Sequence, residues 1–302
     1  SNHRSDVRAI VRDSGGWRLA DVPEDQLVRC DLTDRDATER TVRELAPQTV
    51  FHCAAYGAYP FEQDVARIYD TNVTSLAEFI NLLSAGPISA FVHAGTSSEY
   101  GTNCSGPSED ADCRPNSAYA ASKLAAANHL RLVGAHQGFP CINLRLYAVY
   151  GPYEDTSRLV PTLVHEAMSG RLPRLVDENV TRDFIHVDDV CAAFIHAAAR
   201  IDSVPYGSSF NIGTGRSTSI GEIVESTRQL FGVDARPRFG SLENRTWDLT
   251  DWYANPTRAH EDLGWRAEIG LADGLLTVAD WMAQMPDGAF ETSTKHDLDK
   301  PV

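Results

Sequence analysis

The feature that most constrains this chain is a regular alternation of short apolar runs with longer segments of helical period. The apolar runs are rich in Val, Ile and Phe and lie at Val7–Val11, Leu27–Cys30, Thr49–Cys53, Ala90–His93, Cys141–Leu146 and Ser209–Ile212. The segments of helical period lie at Asp36–Leu45, Glu62–Leu83, Ser117–His136, Thr156–Ser169, Val187–Ala199 and Ile220–Phe231. Apolar strands joined by crossover helices are typical of a parallel sheet covered on both faces. The sequence therefore predicts an α/β fold with a doubly wound parallel sheet.

The alternation loosens after residue 150, where Gly151, Pro152, Pro161 and Pro173 interrupt short helical pieces. We predict a first domain over residues 3–150, to which a segment near residues 183–215 returns. A smaller, partly interleaved α/β lobe is predicted over residues 151–290, and residues 291–302 are read as a polar tail.

The charge balance excludes several classes of partner. The 302 residues include 27 Lys and Arg against 42 Asp and Glu, a net charge of −15. Such a chain is repelled by nucleic acid and by anionic membranes, so neither is expected as a partner. The six cysteines include no Cys-x-x-Cys pair, and no metal site is predicted. With no apolar run of the ~18 residues that a membrane span needs, the sequence is read as cytoplasmic.

A tyrosine and a lysine at helical spacing are the first candidates for chemistry. Tyr119 and Lys123 stand four residues apart in a predicted helix, which puts both on one face. A neighbouring cation is expected to lower the tyrosine pKa from its usual value of ~10. Upstream, Phe91–Gly101 runs from a strand into a turn of hydroxyl residues at the carboxyl end of the sheet, where open α/β sheets bind ligands.

Together these two segments resemble the extended short-chain dehydrogenase/reductase family, in particular its NAD(P)-dependent nucleotide-sugar epimerases, dehydratases and ketoreductases. The resemblance extends over nearly the whole chain through further segments at His52–Ala55, Asp70–Val73, Leu144–Pro152, Arg182–Asp189 and Phe210–Gly213. It implies a Rossmann-like domain with a substrate lobe, NAD or NADP as cofactor and a nucleotide sugar as substrate. It also implies a homodimer formed through the helices at 62–83 and 117–136.

By this resemblance, three residues carry the catalysis. Thr96 is the hydroxyl that binds the reacting sugar oxygen, and Tyr119 is the acid/base. Lys123 lowers the tyrosine pKa and holds the nicotinamide ribose. Hydride transfer at a carbinol carbon requires such a proton donor or acceptor, because the cofactor supplies only the hydride.

The resemblance also assigns residues to the cofactor. They are Arg12, Asp31, Leu32, Ala54, Ala55, Asn72, Tyr119, Lys123 and Val149. Arg12 follows a strand at the position where members that prefer NAD carry an acidic residue, so we expect it to bind a 2′-phosphate and favour NADP. A solvated strand-end arginine is the alternative for Arg12, and a helix N-cap or turn is the alternative for Asp31.

The chain departs from the family pattern at its start. The family opens with a strand and a G-x-x-G-x-x-G loop, whereas this sequence contains no such loop and reaches what resembles the second strand by Val7. The first βα unit is therefore not represented in the sequence, and no glycine is assigned to the cofactor.

The substrate residues implied are Ser97, Ser98, Tyr147, Arg182 and Arg245. The arginines would bind the pyrophosphate of the nucleotide sugar, with surface salt bridges as the alternative.

Positions 97 and 98 separate the family's subclasses. The 4,6-dehydratases have Asp-Glu there, but this chain has serines, which are not competent bases. Glu99, the nearest carboxylate, is expected to point away as a surface or lobe-linking residue. The function favoured at this point is a 4-ketoreductase of a 4-keto-6-deoxy sugar, with a nucleotide-sugar 4-epimerase as the alternative. A 4,6-dehydratase and a non-catalytic nucleotide-binding protein rank below both.

Overall fold

Strands and helices alternate along the chain as the sequence predicts. The computed structural model describes residues 6–12, 17–59, 61–243 and 249–285. The strands are β1 (Ala9–Val11), β2 (Leu27–Arg29), β3 (Thr49–His52), β4 (Ala90–Thr96), β5 (Cys141–Leu146), β6 (Ala148–Tyr150), β7 (Thr181–Arg182), β8 (Phe184–His186), β9 (Ser208–Ile212) and β10 (Thr218–Ser219). The α-helices are α1 (Arg35–Leu45), α2 (Val65–Tyr69), α3 (Ser75–Ser84), α4 (Ala118–Gln137), α5 (Leu159–Met168), α6 (Val187–Ala199), α7 (Ile220–Phe231), α8 (Thr257–Leu263) and α9 (Leu271–Ala283).

The central sheet consists of four parallel strands in the order β3-β4-β5-β9. A second parallel pair joins β1 to β2, and a third joins β6 to β8. Only the pairing of β7 with β10 is antiparallel among the described strands. The predicted parallel α/β fold is therefore confirmed.

Both faces of the central sheet are covered, as its apolar strands require. Successive residues of β4 alternate between the faces, since side chains along a strand point to opposite sides. Phe91 packs in a core with α3 and α4, where Leu130 is fully buried. Val92 packs in a second core on the other face, with Phe194 of α6 and Leu263 of α8. His93 comes next on the Phe91 face, which directs it toward α4.

A third core lies outside the sheet, where α5, α7 and α9 pack together. Tyr150, Val164, Ile223 and Leu275 are buried in it. The sequence patterns missed α8 and α9, along with the short strands β6, β7, β8 and β10. The domain division at residue 150 stays a prediction, and the predicted tail at 291–302 lies outside the described residues.

All six cysteines are free thiols. Within the described ranges, no helix is both long enough and apolar enough to cross a membrane.

Candidate active site

The predicted catalytic residues come together where β4 ends beside the start of α4. The hydroxyl of Ser117 accepts a hydrogen bond from the Ala120 backbone N at 3.1 Å, so the helix begins at Ala118. This start places Tyr119 in the first turn and Lys123 one turn later. Thr96, at the end of β4, lies near Tyr119, and its side chain acts on the pKa of the phenol. Two of the three predicted catalytic residues are thus neighbours at this strand end.

The pKa of Tyr119 differs from the expectation. Burial raises this pKa to about 12, and the charges of Glu99 and Glu62 act in the same direction. The Arg158 charge and the Thr96 hydrogen bond lower the pKa without compensating for the burial. The expected lowering of the Tyr119 pKa by Lys123 is therefore wrong for this structure, because desolvation of the phenolate dominates.

Lys123 is itself buried, with 1% of its surface exposed. Its Nζ lies 2.9 Å from Nε2 of His93. Burial lowers the pKa of Lys123 to about 8, although the charges of Glu99 and Cys53 oppose the shift. A fraction of the lysine is therefore neutral in mildly alkaline solution.

Glu99 is not a surface residue, and the expectation that it points away is wrong. Its side chain is 0% exposed and accepts a hydrogen bond from Arg145 Nε at 2.7 Å. It also accepts one from the Thr96 backbone N at 3.1 Å, while the Thr96 hydroxyl accepts from the Ser98 backbone N at 3.2 Å. This reciprocal capping box opens a short 3₁₀-helix over Ser97–Tyr100, and its geometry turns Glu99 inward.

Gly95 makes room for this buried carboxylate. A Cβ at position 95 would lie 2.4 Å from Asn143 Oδ1 and 2.7 Å from Glu99 Oε1. Because real Cβ atoms do not approach so closely, any side chain here would displace Glu99 or Asn143. Glycine at this position therefore supports the turn that carries Thr96.

The residues predicted for the adenosine end of a cofactor follow neighbouring parallel strands. Arg12 comes after β1 and is exposed, and Asp31 comes after β2. Although burial opposes the shift, hydrogen bonds from Thr33 and the charge of Arg12 lower the pKa of Asp31. The structure thus places a cation and a carboxylate close together at one edge of the β1–β2 pair.

The small residues Ala54 and Ala55 follow β3 and are exposed, which leaves that strand end open. Leu32 and Val149 are half-buried, and each packs against a hydrophobic core. Their side chains serve packing, so any role at the cofactor falls to their backbone.

Asn72 is buried within a network of hydrogen bonds. Its Oδ1 accepts from the Tyr56 backbone N at 2.9 Å, and its Nδ2 donates to the Tyr56 carbonyl at 2.8 Å and to Ser122 Oγ at 2.9 Å. Both amide hydrogens are used within the protein, and a role of Asn72 at the cofactor stays a prediction. Asn72 ties the segment after β3 to helix α4.

The predicted substrate residues Ser97, Ser98 and Tyr147 differ in burial and in their hydrogen bonds within the protein. Ser97 is buried, and its hydroxyl accepts from the indole N–H of Trp252 at 3.2 Å. Ser98 is half-buried beside Thr96. Tyr147 is buried in a core with Cys104 and Trp252, and burial strongly raises the pKa of its phenol. Within the described residues the Tyr147 hydroxyl has no hydrogen-bond partner.

Arg182 is half-buried, with its guanidinium carbon 5.0 Å from the centre of the Trp252 ring. One of its guanidinium nitrogens donates to the Thr181 carbonyl at 2.7 Å. Trp252 thereby links Arg182 to Ser97, and it is buried in the same core as Tyr147. The predicted Arg245 lies outside the described residues.

The sequence patterns did not single out two residues whose charges act on Tyr119, Arg158 and Glu62. Arg158 lies with its guanidinium carbon 4.8 Å from the centre of the Tyr59 ring, and its charge reaches Tyr119. Glu62 accepts from the backbone N of Gly57 at 2.9 Å and of Tyr59 at 3.1 Å. These residues stand in loops without a motif, so no sequence signal marked them. The inward position of Glu99 did have a sequence signal, since Thr96-x-x-Glu99 is the pattern of a capping box.

In chemical terms, this arrangement offers one proton donor or acceptor with a hydroxyl beside it and a buried cation one turn away. Tyr119 can exchange a proton with an oxygen that Thr96 also binds. The nearby carboxylates are occupied, Glu99 by Arg145 and Glu62 by two backbone N–H groups.

Comparison with known proteins agrees with this geometry. The model of the NAD dependent epimerase/dehydratase family matches residues 1–213. The UDP-glucose 4-epimerase of Mycolicibacterium smegmatis is 30% identical over 263 residues, which cover 83% of this chain and 80% of that protein.

Two solved structures have the same fold. The UDP-glucose 4-epimerase of Thermotoga maritima, solved with UDP-glucose, has a TM-score of 0.81 at 24% identity and covers 91% of this chain and 90% of its own. MoeE5, solved with UDP-glucose and NAD, has a TM-score of 0.76 at 28% identity and covers 86% of each chain. The chain therefore belongs to the NAD dependent epimerase/dehydratase family and is an enzyme of that family.

Proposed function

We propose that the chain is a nucleotide-sugar 4-epimerase, which oxidises and then reduces C4 of a nucleotide-linked hexose. The observation that carries this proposal is the position of Tyr119 beside Thr96 at the end of the central sheet, with Lys123 one helical turn away. The Mycolicibacterium relative, matched over most of its length, is a UDP-glucose 4-epimerase. UDP-glucose is accordingly the first substrate to test.

The residues present fit an NAD-type cofactor. Arg12 and Asp31 place polar groups at the ends of β1 and β2, and Ala54 and Ala55 leave the end of β3 open. Parallel sheets bind dinucleotides along this edge. Arg12 and Asp31 would hold the adenosine end, and Lys123 would hold the nicotinamide ribose. When bound, the cofactor takes the hydride from C4 and returns it.

Tyr119 would handle the proton that accompanies each hydride. In its neutral form the phenol donates a proton to the oxygen at C4, and the raised pKa of Tyr119 keeps this form populated. In the reverse direction the phenolate accepts the proton, aided by the Arg158 charge and the Thr96 hydrogen bond. Thr96 would hold the same sugar oxygen in place.

The nucleotide end of the substrate is assigned to the second lobe. Arg182 and Arg245 would bind the pyrophosphate, since guanidinium groups match phosphate oxygens. Ser97, Ser98 and the hydroxyl of Tyr147 would contact the sugar. A homodimer through the predicted helices at 62–83 and 117–136 stays a prediction.

A 4-ketoreductase is the second candidate, and Arg12 is the observation that favours it. An exposed arginine after β1 suits the 2′-phosphate of NADP, which a reductase consumes stoichiometrically. An epimerase instead recovers its cofactor in every cycle.

The experiment that tests the proposal feeds the protein UDP-glucose deuterated at C4, with NAD, and follows the sugar by proton NMR. An epimerase gives the C4 epimer with deuterium retained at C4 and no net change in absorbance at ~340 nm. Consumption of NADPH with a 4-keto-6-deoxy sugar, without epimer formation, would establish the reductase instead. If neither reaction occurs with any UDP-, GDP-, dTDP- or CDP-hexose, the proposal is wrong.

A further inference from the structure

A row of three buried side chains lies beneath the candidate active site. His52 and His93 occupy paired positions on the neighbouring strands β3 and β4, so their rings lie side by side. Their Nδ1 atoms are 3.0 Å apart, and Nε2 of His93 is 2.9 Å from Nζ of Lys123. The exposed fractions are 5% for His52 and 1% for both His93 and Lys123.

The distances determine where the hydrogens of this row lie. Two Nδ1 atoms at hydrogen-bond distance require one donor and one acceptor, so the two neutral rings are opposite tautomers. A lysine ammonium can only donate, so Nε2 of His93 must accept from it. His93 then carries its hydrogen on Nδ1 and donates to His52, whose own hydrogen lies on Nε2.

Both histidines are held neutral. Burial lowers the pKa of His52 to about 3 and places the pKa of His93 well below its usual value, and the Lys123 charge adds to both shifts. Lys123 is thus the cation of the row, and its protonation orders the hydrogens of both rings.

From this geometry we propose that His93 is a positioning residue for catalysis, which orients the Lys123 ammonium through a neutral acceptor, and that His52 supports the tautomer of His93 by accepting from its Nδ1. The proposal deepens the proposed function and rests on it, because orientation of Lys123 matters only if Tyr119 and Lys123 act on a cofactor and a substrate. His93 itself touches Lys123 and His52, and acts through the lysine.

A neutral acceptor suits this position better than a carboxylate. A carboxylate at 2.9 Å would orient the lysine equally well, but would pair with its charge and raise its pKa. A neutral imidazole takes one of the three ammonium hydrogens and leaves the positive charge uncompensated. That charge stays available to the reacting groups one helical turn away.

The alternative is that the two rings merely fill the core. The rings do pack beside Phe79 and Phe91, with centroids 5.9 and 5.6 Å from that of His52. Apolar side chains would fill this volume without the desolvation cost of three buried polar groups. The two ideas differ in the tautomers that they require and in what the removal of His93 does to Lys123.

The first test is ¹⁵N NMR of the imidazole nitrogens in the full chain at pH 7, with signals assigned by their loss in H52L and H93L. The expected result is a neutral His93 protonated on Nδ1 and a neutral His52 protonated on Nε2. A His93 that carries its hydrogen on Nε2, or that is charged at pH 7, would overturn the proposal. This measurement needs no substrate, so its outcome is independent of whether the proposed function is right.

The second test measures kcat, KM and the pH profile of His93→Leu. Loss of the acceptor disfavours the ammonium, so the alkaline limb governed by Lys123 should move to lower pH by roughly a unit, with about a fivefold loss of kcat at pH 8. The charged or titratable groups that face Lys123 from other elements are His93, His52, Cys53 and Glu99, and the last three are unchanged in this variant.

His93→Gln restores an acceptor and should recover part of both effects, which a packing role does not predict. His129→Leu is the matched control, because His129 lies in α4 as Lys123 does, and its Nε2 has no hydrogen-bond partner among the described residues. It should behave as the unmodified protein. If His93→Leu folds and keeps the original kcat and pH profile, the proposal is wrong. If His93→Leu does not fold, the kinetics of His93→Gln and the tautomer measurement distinguish the positioning role from a packing role.

Discussion

At the scale of single residues, burial decides which side chains of the site carry charge. Tyr119 and Lys123 were expected to influence each other through their i,i+4 spacing. Instead, burial raises the pKa of Tyr119 to about 12 and lowers the pKa of Lys123 to about 8. Spacing along a helix predicted that the two side chains share a face, but the solvation of each could not be read from spacing.

The first prediction concerns the hydroxyl of Tyr119. Tyr119→Phe keeps the ring but removes the proton donor, so kcat should fall roughly 10²–10⁴-fold. Thermal unfolding should change little, because the ring still packs. The control is Tyr206→Phe, which removes a hydroxyl bonded to Asp202 away from the site and should leave kcat unchanged. Near-normal turnover of Tyr119→Phe on a verified substrate would show that another group is the acid/base.

The second prediction concerns the choice of cofactor. Arg12→Asp removes the candidate partner of a 2′-phosphate and places a second carboxylate near Asp31. The ratio of NADPH to NADH affinity should fall roughly tenfold or more, the value of one charged hydrogen bond. Arg8→Asp changes an exposed arginine just before β1 and serves as the control for charge alone. Equal ratios in the original protein and in Arg12→Asp would exclude a role of Arg12 in cofactor preference.

The third prediction concerns Glu154 and the dependence of stability on pH. Burial raises the pKa of Glu154 to about 8 from its usual 4.5, and Oε2 has no hydrogen-bond partner within the described residues. A carboxyl whose pKa is higher in the folded state contributes stability below pH ~4.5 and loses it as pH rises through ~8. Glu154→Gln removes this loss, so its free energy of unfolding should exceed that of the original protein by on the order of 2 kcal/mol at pH 8.

Urea denaturation of both proteins at pH 5 and pH 8 measures this difference. The gain from Glu154→Gln should be small at pH 5 and should grow with pH. Glu225→Gln, which removes an exposed carboxylate bonded to Arg228, should give no gain at either pH. An equal effect of Glu154→Gln at both pH values would contradict the prediction.

At the scale of elements, strand alternation and helix caps account for what could be predicted. The strand at 141–146 and the helices at 187–199 and 220–231 have the predicted bounds. A continuation of β4, in which side chains alternate, would direct Glu99 away from the site. The strand ends at Thr96, and a capping box then changes the direction of the chain. Strand parity cannot be extended across such a turn.

The fourth prediction follows from the ion pair that this turn buries. Arg145 and Glu99 have side chains 6% and 0% exposed, and their closest atoms are 2.7 Å apart. Glu99→Gln leaves a buried guanidinium without a counter-charge, so we expect a loss of about 3–5 kcal/mol in the free energy of unfolding. The control is Glu166→Gln, because Glu166 and Arg171 are also 2.7 Å apart but have side chains 27% and 60% exposed. It should change stability little, and an equal loss in both variants would show that burial is not the cause.

At the scale of the whole molecule, the sequence predicts the parallel sheet but not the residues that surround the candidate site. Apolar strands and amphipathic helices bury residues that recur with the period of the strand or helix, so the pattern of apolar residues predicts these elements. The loops that carry Glu62 and Arg158 have no periodicity, yet they bring the charges of both residues to Tyr119. Their placement depends on contacts between distant parts of the chain, such as the Arg158–Tyr59 contact, and a single sequence does not record these.

The last prediction concerns which reaction the assembled site excludes. Removal of water from a nucleotide hexose requires a base for the C5 proton, and Ser97 and Ser98 cannot serve as one. Glu99 is bound to Arg145, and Glu62 accepts from two backbone N–H groups, so neither carboxylate is free to act. Incubation with UDP-glucose and NAD in deuterated water should therefore give no 4-keto-6-deoxy product and no deuterium at C5. Dehydrated product that disappears in Glu99→Gln, but persists in Glu166→Gln, would instead make Glu99 the base and reverse the assignment.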